Sequence, residues 1–117
     1  MKNVAIVFNQ VPHGNAKGRE ALDLSLAISD INHVSVFFIH DGVFHLLRDQ
    51  QPEKILMRDY IATLGMLDLY DITDIYACET SLKQRGLHHQ NLVINTQMIS
   101  QQAINDLLAT QDVILQF

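Results

Sequence analysis

Val4-Ala5-Ile6-Val7-Phe8 and Val34-Ser35-Val36-Phe37-Phe38-Ile39 are the two runs that decide how this chain folds. Each is short, mostly β-branched or aromatic, and bounded by polar residues. Neither alternates apolar with polar, so both read as strands covered on two faces rather than one. Between them Pro12-His13-Gly14 breaks the first run. The stretch from Ala16 or Gly18 to Asp30, rich in good helix formers with acids near its start, predicts a helix. Strand, helix and strand in this order make a βαβ unit, with parallel strands and a right-handed crossover.

The same rhythm continues outward. Asp41-Gly42 is a turn signal that ends the second strand, and Val43 to Leu47 predicts a short helical turn. Pro52 opens a longer helix in which Met57, Tyr60, Ile61, Leu64 and Leu67 form one apolar stripe. Ile55, Ala62, Met66 and Leu69 form a second stripe on another face, which fits either a deeply buried helix or a subunit interface. Ile72 to Ala77 predicts a third strand, Thr80 to Arg85 a short helix stopped by Gly86, and Leu92-Val93-Ile94 a weak fourth strand. Ser100 caps a helix whose apolar face is Ala103, Ile104, Leu107 and Leu108, and Val113-Ile114-Leu115 makes the last strand. About five strands alternating with helices predict a single α/β domain over residues 1–117. Its architecture is a three-layer α/β/α sandwich around a mostly parallel sheet.

At 117 residues the chain is long enough to close one core without disulfides or metals, and too short for two domains. With 48% hydrophobic and 18% charged residues it is outside the disordered and low-complexity classes. A net charge of -5 repels phosphate backbones, so direct nucleic-acid binding is not expected. The single cysteine cannot form an internal disulfide, and the start lacks a signal-peptide pattern, so the cytoplasm is the expected compartment. The longest apolar runs fall far short of the roughly 20 residues of a membrane helix.

In an open parallel sheet, ligands and catalytic groups gather beyond the carboxyl ends of the strands. The loop Gln10 to Arg19 feeds a helix start and offers backbone N–H groups to an anion, but it also reads as a plain flexible turn. It is neither a P-loop nor a dinucleotide fingerprint, because its glycines are four apart and Gly18 precedes Arg19-Glu20. Asp41 is placed to hold a ribose, a metal or, best, the start of the Val43–Leu47 turn. A phosphoacceptor domain would need acids where Asn9-Gln10 stand. The histidine pairs His40/His45 and His88/His89 lack metal-site spacing, and no metal or cofactor is expected.

Cys78 is the candidate catalytic residue. In Tyr76-Ala77-Cys78-Glu79-Thr80-Ser81 it stands where a strand hands over to a helix, whose N-terminal dipole favours the thiolate. Glu79 works the other way, and a free cysteine also serves as a small buried hydrophobe. Lys83 and Arg85 offset Glu79 if their side chains fold back. The residues leave both readings open, a reactive thiol and an inert one.

Several segments coincide with a known family. They are Val4 to Phe8 with Pro12-His13-Gly14 and Gly18-Arg19-Glu20; Val36 to Ile39 with Asp41-Gly42-Val43-Phe44 and Leu46-Leu47; Arg58 to Thr63; Leu69 to Ile72; Arg85-Gly86-Leu87; and Asp112 to Leu115 with Phe117. Together, and from end to end, they resemble the DsrE/DsrF-like family. The resemblance implies a subunit of a cytoplasmic sulfur-relay complex, a dimer of heterotrimers with TusB-like and TusD-like sister subunits. Such a complex passes sulfur as a protein persulfide from a TusA-like donor to a TusE-like acceptor, toward 2-thiolation of the wobble uridine of tRNA. The resemblance gives the persulfide to the TusD-like sister, at a strand-to-helix position similar to that of Cys78, and makes this chain an architectural, non-carrying member. Two other readings stand beside it: Cys78 itself carries a persulfide, or the chain is a flavodoxin-like binder of anions or nucleotides through its first loop.

Overall fold

The two apolar runs become the centre of a five-stranded sheet. In the computed structural model, residues 2–10, 17–46, 64–87 and 94–117 are described. Strand β1 (Asn3–Phe8) lies parallel to β2 (His33–Phe38), in register from Asn3 opposite His33 to Phe8 opposite Phe38. Between them runs helix α1 (Lys17–Ile28). β3 (Asp74–Cys78) pairs with β2, β4 (Gln97–Ile99) with β3, and β5 (Val113–Gln116) with the other side of β1. All four pairings are parallel, and the order is β4-β3-β2-β1-β5.

The helices divide unequally over the two faces. Among the described residues the other helical segments are residues 64–69 (α2), α3 (Glu79–Gln84), α4 (Gln101–Leu108) and a 3₁₀ helix at His40–Leu46. Ala21 and Leu22 of α1, Leu64 and Leu67 of α2, and Leu82 of α3 pack with Val4, Ile6, Phe8, Val36 and Phe38 on one face. On the other face Ile104 of α4 packs with Ala5, Val7, Phe37 and Cys78. Right-handed crossovers give this distribution, because β1 to β4 step one way across the sheet and β4 to β5 steps back. Among the described residues α4 is the helix on the second face, where Ile114 of β5 stays partly exposed.

Two departures from the sequence reading have physical causes. The fourth strand is Gln97–Ile99, not Leu92–Ile94; Ile94 sits in a bend, while Leu92 and Val93 lie outside the described residues. Three residues at an open edge, two of them only partly buried, give too weak a pattern to find from sequence. Ile72 precedes β3 rather than opening it, because it closes the end of α2. Its N–H donates to Leu67 O, and Asp71 N–H donates to Asp68 O, with both Ile72 and Leu67 buried in one cluster. That is a Schellman ending, and it puts Asp71 in the left-handed region at φ 60°. Helix α3 ends the same way on Gly86, φ 66°, with Leu87 N–H donating to Leu82 O. Since glycine enters this region without penalty, Asp71→Gly should raise stability by about 0.5–1 kcal/mol, read as a higher urea midpoint at unchanged slope. A lowered midpoint would contradict this reading of the turn.

Candidate functional site

Cys78 ends β3 and caps α3. Its register partner is Ile99 of β4, so its side chain falls on the face that α4 covers. There it is 0% exposed, packed with Phe37 and Ile104. The backbone at Cys78 is extended (φ -74°, ψ 115°), and Sγ accepts the N–H of Ser81 at 3.4 Å, the bond an N-cap side chain makes. Sulfur takes the place that Ser or Asp usually fills.

The first residue of α4 closes the other side. Gln101 Oε1 accepts from Cys78 Sγ at 3.4 Å, while its Nε2 donates to Asn105 Oδ1 at 3.0 Å. With the amide held that way its oxygen faces the sulfur, which suits a protonated thiol as donor. Ser100 anchors this helix start by accepting Ala103 N–H at 3.1 Å. Gln101 is 23 residues from Cys78 in sequence, and nothing in the sequence pointed to it.

The neighbouring charges settle in pairs that leave the thiol alone. Lys83 Nζ lies 2.8 Å from Glu79 Oε1, one helical turn away. The hydrogen bond, then the charge, of Lys83 holds the Glu79 carboxyl below its ordinary value and raises Lys83 in return. Arg85 does not fold toward Glu79. Its Nε donates to Asp41 Oδ1 at 3.0 Å and its Nη1 to Ser81 O at 3.2 Å. Asp41, expected as a cap, is therefore an ion-pair partner that ties the 3₁₀ helix to α3. Ser81 completes the tie by accepting His40 N–H at 2.9 Å. Beside the site Tyr76 stacks on Phe37 at 5.1 Å, and burial, then the Asp74 carboxylate, push its phenol above the ordinary value.

The other sequence candidates scatter. His45 is buried against Phe8 and Phe38, with Nε2 at 2.8 Å from Gln10 O, and His40 is exposed at φ 50°. His33 pairs with Asp74 at 2.6 Å at the far end of the sheet. The Val11–Ala16 part of the first loop and His88-His89 lie outside the described residues. Among the described residues no three His, Cys, Asp or Glu side chains converge to hold a metal, and no helix is long and apolar enough to cross a membrane.

Compared with known proteins, residues 2–117 match the model of the DsrE/DsrF-like family. The chain belongs to that family. Its fold is that of the YchN protein of E. coli, with a TM-score of 0.82 at 22% identity and all of both chains covered. MTH1491, a protein of unknown function from Methanobacterium thermoautotrophicum, shares it at a TM-score of 0.74 and 13% identity, again over the whole of both chains. Membership of the DsrE/DsrF-like family connects the chain with sulfur relay at a general level. Cys78, for which the residues left a reactive and an inert reading open, is a buried cap.

Proposed function

We propose that this chain is a TusC-like, non-carrying subunit of a cytoplasmic sulfur-relay complex that serves 2-thiolation of the tRNA wobble uridine. In such a relay an acceptor thiolate attacks the outer sulfur of a donor persulfide. The S–S bond breaks, the donor leaves as thiolate, and no external oxidant is needed. Both partners need a sulfur that another protein can reach. The observation that carries the reading is that Cys78 offers none: it has no exposed surface, caps α3 through Ser81 N–H, and is closed over by Gln101. The persulfide then belongs to the TusD-like sister, loaded by a TusA-like donor and unloaded to a TusE-like acceptor.

The outer stripe of α2 supports a role in assembly. Leu64 and Leu67 are buried, whereas Met66 and Leu69 of the second stripe are exposed, so this end of the helix carries more apolar surface than its own sheet covers. That favours an interface over a deeply buried helix. Co-expression with TusB-like and TusD-like sisters should yield one co-eluting heteromer, and Cys78→Ser, which preserves a capping acceptor, should leave tRNA thiolation within about twofold of wild type. Three separate elution peaks, or loss of thiolation by an assembled Cys78→Ser complex, would overturn the proposal.

A further inference from the structure

The loops that lead into β2 and β3 lie side by side at the end of the sheet opposite Cys78. The β2–β3 register and the 2.6 Å contact between His33 and Asp74 fix them there. These loops and the adjoining last turn of α2 carry four of the exposed large apolar side chains: Ile31 (73%), Leu69 (77%), Tyr70 and Met66. Next to them in the chain are the exposed carboxylates of Asp30, Asp68 and Asp71. Helix α1 has no basic residue in its last turn; the basic groups at this end are His33, held by Asp74, and the exposed Lys2, whose carbonyl accepts His33 N–H at 2.9 Å, so the three carboxylates outnumber the lysine.

We infer that this acid-rimmed apolar patch docks a partner protein whose matching surface is apolar at its centre and basic at its rim. The charge selects the occupant. A second copy of the chain would set like carboxylates against one another, and an anionic membrane surface would be repelled, whereas lysines and arginines around an apolar contact complete the rim. The apolar side chains supply area removed from water, and the carboxylates supply orientation and rate of encounter. This deepens the proposed function, on which it rests, by naming the face through which the chain meets a sister subunit.

The test titrates the chain with the co-purified TusB-like and TusD-like pair at low and high salt. Wild-type affinity should fall about tenfold on raising the salt, as rim charges are screened. The double variant Asp30→Lys/Asp68→Lys should bind about tenfold or more weakly at low salt and lose most of the salt dependence. Leu69→Ser should weaken binding while keeping it. All three substituted side chains are exposed, and thermal melts check that the variants remain folded. Wild-type binding with unaffected variants would overturn this inference alone. Self-association of the isolated chain that Leu69→Ser abolishes, or retention on vesicles of anionic lipid, would overturn it in favour of another occupant. Failure of the wild-type chain to bind the pair would overturn the functional reading, and this inference with it.

Discussion

Replacing Gly42 with alanine is expected to abolish the folded state or lower its stability by about 4 kcal/mol or more, a large share of the 5–15 kcal/mol typical of a domain. A Cβ at this position would lie 1.8 Å from Phe8 O and 2.4 Å from Phe8 C. Both are backbone atoms of a central strand, so no side-chain rotation relieves the overlap. Phe8 O also accepts Ile39 N–H at 3.0 Å, and Gly42 N–H donates to Ile39 O at 2.8 Å. Making room would break these bonds and lift Val43, His45 and Leu46 from the core. Urea unfolding measures the effect; a near-native midpoint would show that the 3₁₀ helix is not seated as described.

The second large effect is expected from Ile104→Ala. Ile104 is the one fully buried side chain of α4, and among the described residues α4 is the helix on the second face of the sheet. Truncating a buried isoleucine costs about 2–5 kcal/mol, and here most of that falls on the docking of one eight-residue helix. Because Gln101 of the same helix closes over Cys78, undocking α4 opens the thiol. A loss of about 3 kcal/mol in that local equilibrium raises the rate of thiol labelling roughly a hundredfold under native conditions. Leu22→Ala, on the opposite face, is the control: similar destabilisation with a much smaller rise in labelling. Equal labelling rates in Ile104→Ala and wild type would separate the thiol from α4.

These expectations rest on features that sequence revealed unevenly. Runs such as Val4–Phe8 and Val34–Phe38 announce buried parallel strands because both faces must be apolar, and Ser100 announces a helix because its hydroxyl takes an orphan N–H. Edge strand β4 gave no such signal, since its three residues are exposed or only partly buried. Gly42 read only as a turn glycine; that a strand carbonyl fills the space of its missing side chain is a tertiary fact. At Cys78 the strand-to-helix position was legible, but its consequence depended on partners 23 residues away, and on Arg85 choosing Asp41 over Glu79. Local charge reasoning around Glu79 weighed neighbours that satisfy each other.

The measurement that bears most directly on the proposed non-carrying role is the intact mass of this chain and of the proposed sister subunits after the mixture has been loaded with sulfur from a TusA-like donor persulfide. An interior, hydrogen-bonded Cys78 predicts this chain at its unmodified mass while a sister subunit gains one sulfur atom that reductant removes. A reductant-labile added sulfur on this chain, absent from its Cys78→Ser variant, would contradict it.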